Sequence, residues 1–325
     1  PWGIDWLPNG DMLITERDGQ LFLLSSGNLT EIKGTPKVVA EGQGGLMDVK
    51  VHPDYAENGF IYLSYSKVMG DKESTTAVVR GKLAKNAFVE SAEVFRAEPA
   101  STTRHHYGSR IIFDKEGYLY VSVGDRGNRD ENPQALNNHC GKIHRMNDDG
   151  SVPSDNPYNG NPIAMQTIYS YGHRNPQGLT LNPFTGEIWE HEHGPKGGDE
   201  INIIQPKVNY GWPVISYGVN YNGTSFTDLT EKEGMAQPEL YWVPSIAPSG
   251  MDFVSSDRYG DMKGDLLVGS LKFSYLNRCV MEGDKIVRED KLLEGIGRVR
   301  VIRQGPDGFI YLGVEGKGVL KLVTK

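Results

Sequence analysis

Gly108-Ser-Arg-Ile-Ile-Phe-Asp-Lys-Glu-Gly-Tyr-Leu-Tyr-Val121 reads as two short apolar strands joined by a tight turn at Asp114–Gly117. The same phrase returns from Trp2 to Ile14, then from Gly45 to Pro53 running on to Gly59–Leu63. It recurs from Gln177 to Trp189, from Ser249 to Val254 leading to Gly264–Val268, and from Arg298 to Leu312. Alternating apolar positions bounded by Pro, Asn, Asp and Gly are the signature of half-buried strands and hairpins. A hairpin unit repeated at intervals of several tens of residues belongs to a radial architecture. The sequence therefore predicts an all-β chain, a six-bladed β-propeller of four-stranded antiparallel blades. Because the copies reach both ends, residues 1–325 are expected to form one β-propeller domain.

Composition agrees with that reading. A hydrophobic fraction of 38% is low for 325 residues, but 40 Gly and 18 Pro show how much of the chain is turn. Sustained three-and-four apolar spacing is missing, so little helix is expected. A net charge of −8 and a pI near 5.6 exclude nucleic acid and anionic membrane surfaces as partners, since like charge repels. No stretch approaches the roughly 20 apolar residues of a membrane span. The chain opens Pro1-Trp2 inside the first repeat, which predicts a trimmed leader and a periplasmic or secreted location. Cys140 and Cys279 lie outside any CxxC or zinc spacing; two separate buried thiols are the expectation, with a single bridge the alternative.

Long insertions separate the hairpins, and function concentrates on such loops. The segment 67–106 contains a strand-like Ala77–Leu83, the segment 124–174 is rich in Asn, Asp, Gly and Pro, and 209–248 is rich in Tyr, Trp, Gly and Pro. Arg104-His-His-Tyr-Gly-Ser-Arg110 precedes the third hairpin. Adjacent histidines on an extended backbone point to opposite sides, so one faces the site. Neutral imidazole is the usual general base near neutral pH, although a solvated loop histidine reads equally from spacing. The hairpin returns Asp125 toward His106, where a carboxylate orients the ring and raises its basicity. Arg174 and Asn175 offer a cation and an amide suited to carboxylate or quinone oxygens, or else an inter-blade salt bridge. Glu190-His-Glu-His-Gly-Pro195 invites a metal reading. His191 and His193 lack a third ligand at zinc spacing, whereas the carbonyls of a Gly194-Pro195 turn suit calcium. Lys272, Arg298 and Arg300 add cations at two further hairpin entrances, as an anion clamp or as a water-facing stripe. Cations from separate blades converge where innermost strands meet the axis.

These phrases together resemble the soluble quinoprotein glucose dehydrogenases and aldose sugar dehydrogenases, a family that uses pyrroloquinoline quinone (PQQ). The resemblance rests on Gly42-Gln-Gly-Gly-Leu-Met47, His106–Arg110, Gly172-His-Arg-Asn-Pro-Gln-Gly178, Glu192–Asn202 and Arg298-Val-Arg300, in order along the whole chain. It implies that His106 is the base taking the proton of an aldose anomeric hydroxyl while hydride passes from C1 to PQQ, giving the lactone. Asp125 is implied to orient that base. Gln43, Arg174, Asn175, Lys272, Arg298 and Arg300 are implied to hold the cofactor, with Arg174 also stabilising charge on the reduced quinone. Gly194 and Pro195 are implied as calcium ligands. Two departures stand out: His105 replaces the family's common Asp or Asn, and Val243 occupies the place of a substrate-contacting tryptophan. Both, with the short insertions, favour broad aldose specificity.

The alternatives are a propeller that binds carbohydrate or protein without chemistry, and a calcium-dependent lactonase. The lactonase needs a cage of Glu, Asn and Asp at the axis, which this basic inventory opposes. The resemblance implies a small-molecule aldose as partner and leaves the electron acceptor open, as the sequence leaves the choice between monomer and homodimer.

Overall fold

The computed structural model of the protein describes residues 1–323. Each repeated phrase forms the two innermost strands of one blade. Gly3–Trp6 and Met12–Thr15 open blade 1, and Leu46–Val51 with Phe60–Val68 open blade 2. Ile111–Phe113 and Leu119–Val123 open blade 3, and Pro176–Leu181 with Ile188–Glu192 open blade 4. Blades 5 and 6 begin with Pro248–Phe253 and Leu266–Ser270, and with Val299–Gln304 and Ile310–Val314. Every sheet runs in chain order; five have four strands, and the sixth has three among the described residues. Ala77–Leu83 lies in the third strand of blade 2, Ser74–Ala84. Helix is confined to Tyr55–Asn58 and a 3-10 stretch, Asp257–Met262. No helix among the described residues is long and apolar enough to cross a membrane.

The quoted turn shows the local cause. Phe113 pairs with Leu119 across it, and the Asp114 carboxylate accepts the N–H groups of Glu116 and Tyr118 at 3.1 and 2.8 Å. That side chain satisfies donors which a tight turn otherwise leaves to solvent.

The core is divided among the blade interfaces. Because successive strand residues face opposite sides, Ile61 and Leu63 of blade 2 pack with Leu13 and Leu21 of blade 1, while Tyr62 packs with Ile111 and Phe113 of blade 3. Trp189, Ile201 and Trp242 fill the interface of blades 4 and 5 with Met251 and Phe253. The ring closes where Val301 of blade 6 meets Ile4, Met12 and Ile14 of blade 1. Cys140 and Cys279 are both free and buried, which settles them as separate thiols.

One side chain ties the hub. Arg110, at the entrance of blade 3, donates to Gln177 O of blade 4 at 2.8 Å, Trp2 O beside blade 1 at 2.9 Å and Arg300 O of blade 6 at 2.6 Å. Its guanidinium also lies 3.6 Å from the fully buried Asp48 carboxylate of blade 2. Removing one partner of such a buried ionic cluster strands the others, at about 3–5 kcal/mol. Arg110→Met is expected to lower stability by that amount in urea unfolding, and Arg110→Lys to restore little, because one ammonium cannot reach three carbonyls on different strands. A variant within about 1 kcal/mol of the parent would remove the hub tie from the account.

Candidate functional site

The loops at the hairpin entrances meet on one side of the ring. His106 takes φ +56° and Gly108 φ +64°, so the chain there is not extended. The expectation that the two histidines point apart fails for this reason: their rings stand edge-on with centroids 4.5 Å apart. A side chain at Gly108 would place its Cβ 2.7 Å from Ser122 O, so only glycine lets this loop lie against the second strand of blade 3. The Gln43 side-chain carbonyl accepts the His106 N–H at 2.7 Å, and the Gln43 N–H donates to Arg104 O at 2.7 Å. The glutamine from blade 2 thus fixes the loop of blade 3.

His106 Nδ1 lies 2.6 Å from Asp125 Oδ1. Asp125 also accepts the Gly127 N–H at 2.7 Å and the Trp212 indole N–H at 2.9 Å, and its own N–H donates to Arg174 O at 2.7 Å. Burial works to raise the Asp125 carboxyl, but the His106 ring, Arg174 and the Gly127 N–H outweigh it and hold the group below the usual carboxylate range. For His106 the balance goes the other way. Burial dominates and lowers the imidazole to about 4 despite Asp125, with Arg174 and His105 adding to the depression. The pairing with Asp125 does raise the basicity of the ring, as expected, but burial outweighs it. What results is a ring that stays neutral, with Nδ1–H held by Asp125 and Nε2 without a protein partner among the described residues.

Arg174 and Asn175 follow in the turn into blade 4. Arg174 Nη1 donates to His193 O at 2.8 Å and to Gly194 O at 2.6 Å, and its guanidinium lies over the Trp212 ring at 5.2 Å. Glu192 Oε2 accepts the backbone N–H groups of Arg174 and, at 3.2 Å, Asn175. Three buried donors, two in the turn into blade 4 and one in blade 6, have no partner among the described residues: Arg174 Nε, Asn175 Nδ2 and Arg300 Nε. A polyanion with several oxygens supplies the missing acceptors, so the donor set fits a quinone tricarboxylate in kind. Lys272 is exposed and without an acceptor among the described residues; it shares a 650 Å³ pocket with Gly194, Pro195, His193, Tyr221 and Val243.

The carbonyls of Gly194 and Pro195 suit a hard cation, yet both are engaged, one by Arg174 and the other by the Ser245 hydroxyl at 3.4 Å. Calcium takes 6–8 oxygens, so these two leave most of a shell to other ligands, and each carbonyl keeps a second lone pair beside its hydrogen bond. His193 does not join His191 at a metal: its ring meets Pro248 O at 2.6 Å, while His191 is buried against Gly178. Arg298 and Arg300 do share one strand face, where both pair with Glu315 at 2.9 and 3.2 Å. Arg174 and Arg300 both act on the His193 ring, which places the two cations around one entrance.

The glucose/sorbosone dehydrogenase family model matches residues 1–322. The chain belongs to that family. It is 40% identical to the aldose sugar dehydrogenase YliI of Escherichia coli over 333 residues, covering 100% of this chain and 90% of the relative. The crystal structure of the soluble aldose sugar dehydrogenase from Escherichia coli in its apo-form superposes with a TM-score of 0.94 at 39% identity, covering 99% of this chain and 94% of the other. The PQQ-bound aldose sugar dehydrogenase from Streptomyces coelicolor superposes at 0.80 with 27% identity, covering 99% and 93%.

Within this family member, sequence reasoning missed Trp212, Glu192 and Glu315 as partners of the quoted residues. Trp212 stands in the aromatic-rich insertion already marked as a loop, which was the available signal; nothing in spacing announces the other two.

The His106 environment has a measurable sign. Its folded value lies below the ordinary 6.5, so the unfolded chain takes up a proton first as pH falls. The stability tied to this ring is complete above about pH 6.5 and declines toward pH 4. Ring chemical shifts in the folded protein should show His106 neutral at pH 5.5, and Asp125→Asn should push its titration lower still by removing the charge that opposes burial. A midpoint near 6.5 would mean the ring is solvated.

Proposed function

We propose that this protein is a quinoprotein sugar dehydrogenase that oxidises C1 of aldoses to the lactone, with PQQ and calcium as cofactors and a broad aldose range. The observation that carries the reading is the neutral His106 ring, held at Nδ1 by Asp125 beside an arginine with an unsatisfied buried donor. Family membership supports oxidoreductase chemistry on a sugar, and the PQQ-bound relative supports the quinone.

His106 Nε2 takes the proton of the anomeric hydroxyl, and Asp125 stabilises the imidazolium that forms. Because Nδ1–H is already engaged, the ring accepts at only one nitrogen. Bound PQQ supplies the two-electron acceptor and calcium the Lewis acid beside it. Arg174, Asn175, Gln43, Lys272, Arg298 and Arg300 hold the cofactor's oxygens, and Gly194 and Pro195 offer their carbonyls to calcium. Arg174 would have the larger task, since its unpartnered Nε would offer a fixed cation to negative charge on the cofactor's oxygens. Glu315 acts as a counterion that keeps Arg298 and Arg300 on one face until a stronger anion arrives.

The 650 Å³ pocket beside these groups supports a broad range of aldoses. Its outer side carries Val243, 62% exposed, where a larger ring would form a wall.

Three measurements check the reading. Apo protein should be inactive and become an aldose:dye oxidoreductase when PQQ and calcium are added; silence with several aldoses under those conditions ends the proposal. His106→Ala should reduce turnover by about 10²–10⁴ while the quinone still binds, whereas Arg300→Ala should weaken quinone retention more than the chemical step. Val243→Trp should lower kcat/KM for disaccharides relative to glucose by about tenfold or more, and an unchanged ratio would place the specificity wall elsewhere.

A further inference from the structure

Behind the Arg174–Asn175 turn, away from the groups assigned to the cofactor, lie His173, Glu190 and Glu192. Glu190 and Glu192 alternate on the strand Ile188–Glu192, so both carboxylates leave one face of blade 4. His173 enters from the turn after Ile168–Tyr171 of blade 3. All three are buried, at 0%, 0% and 3% exposure for His173, Glu190 and Glu192. One ligating atom of each lies within 4.8 Å of the other two.

Each side chain is tethered at one polar atom and bare, or nearly so, at the other. His173 Nε2 is 2.9 Å from Ser170 Oγ, leaving Nδ1 without a hydrogen-bond partner. Glu190 Oε2 accepts from Asn202 Nδ2 at 3.2 Å, leaving Oε1 without a partner. Glu192 Oε2 accepts the two backbone N–H groups of the Arg174–Asn175 turn, leaving Oε1 at 3.5 Å from His173 Nδ1. With Nε2–H donated to Ser170, three lone-pair-bearing atoms face one another in a water-excluded space. The other tautomer would leave its N–H 3.5 Å from Glu192 Oε1, longer than the roughly 2.7–2.9 Å of a charge-assisted bond.

Something positive is needed among them, and spacing separates the two candidates. A shared proton requires heavy atoms about 2.5–2.9 Å apart. An ion with ligands at about 2.0–2.2 Å spreads those ligands to roughly 3.3–4.4 Å from one another. His173 Nδ1 and Glu192 Oε1, 3.5 Å apart, have the second spacing, and a carboxylate oxygen of Glu190 completes a set whose members all lie within 4.8 Å of one another. One imidazole and two carboxylates form a mixed nitrogen–oxygen set that suits zinc or manganese, whereas calcium takes oxygens alone. We propose that His173, Glu190 and Glu192 bind one divalent transition-metal ion in a closed structural site. The Tyr210 ring is stacked on the face of the His173 ring at 4.7 Å and helps fix its orientation. Ser170 and Asn202 orient two of the ligands in the way outer partners orient metal ligands. Glu192 links the ion to the cofactor turn, so the site stiffens the backbone that presents Arg174.

The test is independent of sugar oxidation. Elemental analysis of the purified protein should find about one equivalent of zinc or manganese, and Zn²⁺ or Mn²⁺ added to protein dialysed against EDTA should raise its melting temperature. Glu190→Gln is the deciding variant, because glutamine matches a protonated glutamic acid in shape. An ion site predicts loss of the metal, Zn²⁺ binding weakened more than about 100-fold and a lower melting temperature. Wild-type protein that binds neither metal overturns the proposal, whatever Glu190→Gln does to stability. Metal retained undiminished by Glu190→Gln and by His173→Gln overturns it equally, since the ion would then lie elsewhere. Calcium and PQQ uptake, measured on the same samples, reports on the other site and shows whether only one of the two readings has failed.

Discussion

The ring depends on the guanidinium of Arg110 reaching carbonyls of three other blades while it faces Asp48 of a fourth. A buried cation is tolerated only when its donors are met and a counter-charge is near. That condition holds for one hub radius, since Gln177 O, Trp2 O and Arg300 O come from strands far apart in sequence. Apolar burial between blades is less selective. Leu, Ile and Val side chains accept small shifts, and the interfaces built on Ile61, Tyr62 or Trp189 would still pack if the ring opened slightly. The polar hub makes closure specific.

Closure in turn sets the loops. Arg110 follows His106 by a single turn of chain, and Arg300 gives its carbonyl to Arg110 while its guanidinium pairs with Glu315. Gln177 gives its carbonyl two residues after Asn175. The hub tie and the entrance groups therefore share the same short segments. Around that entrance the charge is arranged in layers. Donors of Arg174, Asn175 and Arg300 without a partner among the described residues lie at the entrance, and acceptors of His173 and Glu190 without one lie behind the Arg174–Asn175 turn, with Glu192 bonded to that turn. The pairing His106–Asp125 shows the competition clearly. The carboxylate favours the charged ring, burial opposes it, and burial wins.

Much of this was legible before any coordinates. The alternating phrase from Gly108 to Val121 and its copies became the innermost hairpins, because strand period and turn chemistry are local properties. His106, Asp125, Arg174 and Asn175 were legible as a group because they sit at hairpin entrances, which a closed ring must gather. Less was legible wherever two distant segments meet. Glu315 lies at the far end of the last hairpin, Trp212 in a long insertion, and neither position has a local rule that aims its side chain at Arg300 or Asp125. The direction of the two histidines was not legible for a different reason: His106 takes a positive φ, with its N–H bonded to Gln43 of blade 2, and no local pattern announces that conformation.

Period, turn residues and the order of polar clusters determined the architecture, the number of hairpins and the chemical character of the entrance, since each follows from interactions between near neighbours along the chain. Tertiary structure alone decided which charges are neutralised, that His106 stays neutral, that Gly194 O is held by Arg174, and that polar atoms of His173, Glu190 and Glu192 come within 4.8 Å of one another behind the turn. Those outcomes depend on desolvation and on distances between blades, and burial is a property of the closed ring rather than of any segment within it.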